Sequence, residues 1–153
     1  MMRLFAVAII IGVSSAQPAS ANDCFLNVPY GQRQYFPHPK PPTFLRAHDG
    51  VVVGDLKVDN NFAFTLRGDT TRLKLEPIVP GTCGAFFMRQ DKRGARKVTY
   101  DPTFLFPRGH TPQLWSAPGE VSVLSYCAFD NQTVYAQMNE RGAGTCFDWP
   151  DAP

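Results

Sequence analysis

The sequence has little charge, few histidines and no long hydrophobic run. Only 18% of its 153 residues are charged, with 15 Lys and Arg against 13 Asp and Glu, so the formal net charge is +2. Dedicated nucleic-acid-binding domains are usually strongly basic, and this balance argues against one. No apolar run approaches the roughly 18 residues of a membrane-spanning helix, so we expect no transmembrane segment in the mature chain.

The sequence also lacks the common catalytic and metal-binding motifs. It contains no G-x-S-x-G nucleophile elbow, no H-E-x-x-H zinc motif, no phosphate loop and no C-x-x-C pair. Its three histidines, His38, His48 and His110, are far apart and do not have the spacing of paired metal ligands. We therefore expect no cofactor, no metal site and no catalytic residue set.

The N-terminus has the features of an export signal. Arg3 precedes an apolar stretch, Leu4 to Val13, which is too short to span a bilayer. The small residues Ala19-Ser20-Ala21 then fit a signal-peptidase site. The sequence thus predicts a cleaved signal peptide over residues 1–21 and a single domain over residues 22–153, secreted or periplasmic.

The four cysteines, Cys24, Cys83, Cys127 and Cys146, favour two disulfides. An even number of widely spaced cysteines in an exported domain is typical of disulfides rather than of a metal site. If the last three predicted strands form a meander, its outer strands lie about 10 Å apart, too far for a Cys127–Cys146 bond. The pairing of Cys24 with Cys146 and Cys83 with Cys127 is then preferred, and Cys24–Cys127 with Cys83–Cys146 stays open.

The hydrophobic pattern favours strands over helices. Phe62, Phe64 and Leu66 alternate with smaller or polar residues, which is the period of a half-buried strand. With the β-branched run 51–58 and a third alternating run through residues 72–76, this predicts a three-stranded meander. Further strands are predicted over residues 83–90, 96–100, 120–129, 132–138 and 145–149. The expected class is all-β, a small antiparallel β-sandwich or barrel of about seven to eight strands, stapled by disulfides.

Eight of the 14 prolines lie in two segments. Residues 35–43 hold four of them, which predicts an extended surface connector because proline fixes φ and removes an amide donor. Residues 101–119, called here the proline-rich loop, hold four more and are long for a connection in a compact domain. A stiff loop loses little entropy on binding. Its candidate binding residues are Arg108, His110 and Trp115.

Residues 89–97, called here the basic segment, form the second candidate surface. They are predicted to be the tip of a hairpin between strands 83–90 and 96–100, from which charges project together. The segment carries five candidate binding cations: Arg89, Lys92, Arg93, Arg96 and Lys97. They favour an anionic partner, such as an acidic protein or an anionic surface polymer. Nucleic acid is not expected, because no aromatic residue interleaves with these cations to stack on bases.

These features predict an exported, non-catalytic domain that binds another macromolecule through the proline-rich loop and the basic segment. An inhibitor, an accessory subunit and a surface-interaction factor all fit this description. The alternative function is a small secreted hydrolase that uses His110 with a carboxylate such as Asp101 or Asp130, which requires the two groups within hydrogen-bond reach. A structural envelope component is the third hypothesis.

Overall fold

The computed structural model describes residues 25–27, 33–35, 40–138 and 149. Within these residues the chain is built of strands, with one short helical element, the 3-10 turn Pro107–Gly109. None of the helical structure in this part of the chain is long and apolar enough to cross a membrane. The predicted signal peptide, Cys24, Cys146 and most of the predicted strand 145–149 lie outside the described residues.

Eleven strands are present in the described part of the chain, and seven of them have four or more residues. They are β1 Phe25–Asn27, β2 Arg33–Tyr35, β3 Thr43–Phe44, β4 Val51–Gly54, β5 Asn61–Leu66, β6 Thr70–Leu75, β7 Cys83–Gln90, β8 Lys97–Tyr100, β9 Phe104–Leu105, β10 Val121–Ala128 and β11 Val134–Met138. Strands β1 and β2 pair with each other, a large sheet has the order β3-β5-β7-β10-β11-β9, and a small sheet has the order β4-β6-β8.

From β3 to β8 the chain alternates between the large sheet and the small sheet. Successive strands within each sheet pair in parallel, β3 with β5, β5 with β7, β4 with β6 and β6 with β8. In the large sheet β10 pairs antiparallel with β7 and β11, and β9 pairs parallel with β11. The all-strand character is confirmed. The predicted antiparallel arrangement is wrong, because the small sheet is parallel and the large sheet is mixed. The sheets do not close on themselves, so the predicted sandwich or barrel is not confirmed.

The meander predicted over residues 51–76 is the largest error. Strand β4 pairs with β6 rather than with β5, and β5 pairs with β3 and β7. Alternating hydrophobicity identifies which face of a strand is buried, but not which strand lies beside it. The predicted hairpin around the basic segment is wrong for the same reason, since β7 belongs to the large sheet and β8 to the small one.

The parallel pairing sorts the connections onto two sides of the molecule. Parallel strands end at the same edge of their sheet, so the connections from the large to the small sheet lie together. These are residues 45–50, 67–69 and 91–96, called here the outgoing side. The connections back to the large sheet, residues 55–60, 76–82 and 101–103, form the return side.

One hydrophobic core joins the two sheets. Val52 and Leu73 enter it from the small sheet, and Phe62, Phe86 and Leu124 from the large sheet, all fully buried. Phe62 and Phe86 stack with their ring centroids 5.2 Å apart. Burial of a side chain of this size contributes about 1.5–3 kcal/mol, so this shared core holds the two sheets together.

The β10–β11 hairpin and one disulfide follow the prediction. Asp130 closes the hairpin, accepting hydrogen bonds from the backbone N–H groups of Gln132 and Thr133 at 2.7 and 2.6 Å. Cys83 and Cys127 stand opposite each other on β7 and β10 and form a disulfide, with their Cα atoms 4.0 Å apart. The Cys83–Cys127 half of the preferred pairing is therefore confirmed.

Candidate functional site

The structure brings the basic segment against the second half of the proline-rich loop. Gln90, the last residue of β7, is 2% exposed. Its amide oxygen accepts a hydrogen bond from the N–H of Arg96 at 2.9 Å, and its amide nitrogen donates to the carbonyl oxygens of Arg96 at 3.1 Å and Trp115 at 2.9 Å. The N–H of Ala95 also donates to the carbonyl oxygen of Ser116 at 2.7 Å. The basic segment and the part of the proline-rich loop around Trp115, predicted as separate surfaces, are therefore adjacent.

Arg96 holds the basic segment in place rather than facing solvent. It is 9% exposed, and its guanidinium donates to Asp69 at 2.5 Å and to Asp91 at 2.7 and 3.0 Å. Asp91 also accepts hydrogen bonds from the backbone N–H groups of Arg93 and Gly94. The hydrogen bonds from the Arg96 side chain lower the pKa of Asp91 to about 2, so Asp91 stays ionised and paired at neutral pH.

Three of the five predicted cations remain exposed. Lys92, Arg93 and Lys97 all face solvent, and none of them forms an ion pair within the part of the chain that the structure describes. Arg89 is half-buried instead, and its guanidinium lies 5.7 Å from the ring centroid of Trp149. The exposed positive charge of the basic segment is therefore concentrated on three side chains.

Trp115 is held in position by its backbone and is 39% exposed. Its N–H donates to the hydroxyl oxygen of Ser122 at 2.9 Å, and its carbonyl oxygen accepts from the Gln90 side chain. With both main-chain groups bonded, the indole ring stands on a fixed backbone. A tryptophan on a fixed backbone has only two side-chain torsions left to order, so it costs little entropy on binding.

Arg108 and His110 lie elsewhere on the proline-rich loop, beside the end of β11. They border an open cleft of about 460 Å³ that is also lined by Phe106, Pro107, Pro112, Gln137 and Met138. Arg108 has a φ of 58°, in the left-handed region that favours glycine. A non-glycine residue in that region stores about 1–3 kcal/mol of backbone strain, and such strain is often found at binding sites.

The hydrolase hypothesis finds no supporting geometry in the described residues. None of their carboxylates lies within 4.0 Å of the His110 imidazole, which is exposed. Asp101 is buried and accepts a hydrogen bond from Arg72 at 2.8 Å, and Asp130 closes the β10–β11 turn. Nor does this part of the chain contain a group of three or more His, Cys, Asp or Glu residues that could hold a metal ion.

Sequence reasoning missed Gln90, Asp69 and Ser122, which assemble the site. Gln90 and Ser122 follow the inward-facing alternation of β7 and β10, so their burial can be read from the pattern. A buried polar side chain requires a hydrogen-bond partner, so both residues could be expected to bond to a neighbouring segment. The pairing of Asp69 with Arg96 depends on the stacking of two connections and has no local sequence signal.

Comparisons of the chain with family models, with curated proteins and with solved structures find no match. The functional conclusion therefore rests on the geometry and chemistry of the site.

Proposed function

We propose that this chain is an exported, non-catalytic domain that binds an anionic macromolecule through Lys92, Arg93, Lys97 and Trp115. The observation that carries the proposal is the Gln90 amide, which joins the basic segment to the proline-rich loop. The domain would act as an inhibitor, an accessory subunit or a surface-interaction factor, with its binding surface formed before the partner arrives.

The charges around this surface support an anionic partner. Asp69 and Asp91 both pair with the buried Arg96, so one carboxylate charge of this group stays uncompensated. Against it stand three exposed cations, Lys92, Arg93 and Lys97, and none of them forms an ion pair with a described residue. Cations at the rim of an interface mainly accelerate association and make it sensitive to salt, whereas a central aromatic ring slows dissociation.

Affinity capture from the native extracytoplasmic fraction tests this function, with partner identification after low-salt and high-salt washes. We expect the partner retained by the wild-type domain at low salt to be lost at high salt, because salt screens exposed charges. Lys92→Glu should retain much less partner. Lys57→Glu is the matched control, since Lys57 is exposed on the return side and the substitution changes the net charge equally. Equal retention by both variants would refute the proposed surface.

A further inference from the structure

The near-neutral net charge conceals an uneven distribution between the two sides of the molecule. The outgoing side, taken together with Lys97 directly after it, carries six cations and three carboxylates. The cations are Arg46, Arg67, Lys92, Arg93, Arg96 and Lys97, and the carboxylates are Asp49, Asp69 and Asp91. The return side carries one cation against four carboxylates: Lys57 against Asp55, Asp59, Glu76 and Asp101. The outgoing side is therefore a basic face on a domain of almost balanced charge.

Arg46 and Arg67 extend the basic segment into a row. Both are exposed, and neither forms an ion pair with any described residue. They occupy the first two outgoing connections, and Lys92 and Arg93 occupy the third. The row was not evident from the sequence, since Arg46 and Arg93 are far apart in the chain and reach the same side of the molecule only through parallel pairing.

Hydrogen bonds to the small sheet place the ends of the three outgoing connections side by side. The N–H of Arg72 on β6 donates to the carbonyl oxygen of Gly50 at 2.8 Å, which fixes the end of the first connection beside the strand that follows the second connection. The N–H of Lys97 donates to the carbonyl oxygen of Asp69 at 3.1 Å, and the Arg96–Asp69 ion pair adds a second link. The backbone at the ends of the three connections is thus held by the small sheet.

The spacing of the row is set by the strands. Adjacent strands lie about 4.8 Å apart, so the backbones of successive connections leave the sheet at roughly that interval. Trp115 lies next to the third connection, because the N–H of Ala95 in that connection donates to the carbonyl oxygen of Ser116. From Arg46 to Trp115 the row crosses three strand intervals, or about 15 Å. Such a narrow, regular row fits a linear polyanion better than the broad surface of a folded protein, which uses about 20–30 residues a side.

We infer that the outgoing side binds a linear acidic polysaccharide, whose carboxylates contact Arg46, Arg67 and Lys92 while a sugar ring stacks on Trp115. This inference rests on the proposed function and names the chemical class of its partner. Arginine recognises carboxylates with its planar fork of donors. The C–H face of a pyranose is apolar, and the indole of Trp115, which is 39% exposed, is a flat apolar group of matching kind.

Titration calorimetry with tetragalacturonate tests the inference, using the full domain and low salt. We expect Arg67→Gln and Arg46→Gln each to weaken binding about threefold to tenfold, because each removes one charge contact. Lys57→Gln on the return side is the matched control and should leave the affinity within about twofold. Affinity should increase from the monosaccharide to the tetrasaccharide, because each added carboxylate can contact a further cation.

Failure of this inference is distinguishable from failure of the proposed function. If Lys92→Gln weakens binding while Arg46→Gln and Arg67→Gln do not, the row is wrong and the proposed surface survives. If poly-glutamate or an oligothymidylate of equal charge binds more tightly than tetragalacturonate, the polysaccharide assignment is wrong. Absence of tetragalacturonate binding would overturn the inference outright, and the capture experiment would still decide the proposed function. Circular dichroism of each variant verifies that the fold is retained.

Discussion

Replacing Gln90 tests the joint between the basic segment and the proline-rich loop. The Gln90→Leu variant keeps a similar side-chain volume but removes three hydrogen bonds, one accepted from Arg96 and one donated to each of Arg96 and Trp115. A net hydrogen bond contributes about 0.5–1.5 kcal/mol, and a buried group left without a partner costs more. We therefore expect a loss of about 2–4 kcal/mol in the free energy of unfolding.

Urea unfolding followed by circular dichroism measures this loss. Gln137→Leu is the matched control, because Gln137 is an exposed strand glutamine, and it should stay within about 0.5 kcal/mol of wild type. At urea concentrations where Gln90→Leu is folded, it should also bind the captured partner more weakly than wild type. A Gln90→Leu variant as stable as the control would refute the role assigned to this amide.

The Gln90→Glu variant adds a pH-dependent form of the same test. A carboxylate at this position accepts the hydrogen bond from Arg96 but cannot donate to the two carbonyl oxygens. Burial raises the pKa of the introduced carboxyl in the folded state above its unfolded value of about 4.3. The variant should thus be closest to wild type in stability below about pH 4 and lose stability relative to it as the pH rises. The opposite trend would contradict the buried, hydrogen-bonded environment.

Three further predictions concern stability. Replacing Cys83 and Cys127 by Ser should lower the free energy of unfolding by about 2–4 kcal/mol, since the bond closes a loop of sequence separation 44, and under reducing conditions wild type and the double variant should match in urea unfolding. Asp91→Asn should be less stable than wild type above pH 4, and the difference in stability should shrink towards pH 2. The reason is that Arg96 lowers the pKa of Asp91 from 3.8 to about 2. A difference in thermal midpoint that does not change with pH would contradict this. Arg108→Gly should stabilise the domain by about 0.5–1 kcal/mol by relieving a φ of 58°, and a lower urea midpoint would show that the Arg108 side chain contributes more than its strain costs.

The sequence predicts the strands better than it predicts their arrangement. The alternation of Phe62, Phe64 and Leu66 correctly identifies β5 and its buried face, because side chains alternate in any strand. It cannot distinguish a hairpin from a crossover between sheets that share a core. The connection 67–69 therefore suggests a tight turn, although it leads to another sheet.

The sequence predicted individual residues of the candidate site, but not which of them lie next to one another. Charge and proline content are local properties, so they identified Lys92 and Trp115 as separate candidates. The union of Lys92 and Trp115 depends on the path of the proline-rich loop past Gln90. The Arg96–Asp69 ion pair and the extension to Arg67 depend on parallel pairing, which places the outgoing connections on one side. Such long-range pairing leaves no local periodicity in the sequence.

The most direct test of the central claim is the map of amide chemical-shift changes when tetragalacturonate is added to the isotope-labelled domain. The account predicts changes concentrated at residues 91–97 and 115–116 and at Arg46 and Arg67, saturating with one ligand and reversed by salt. Changes confined to the return side, or spread evenly over the surface, would contradict an anion-binding face built on the outgoing connections.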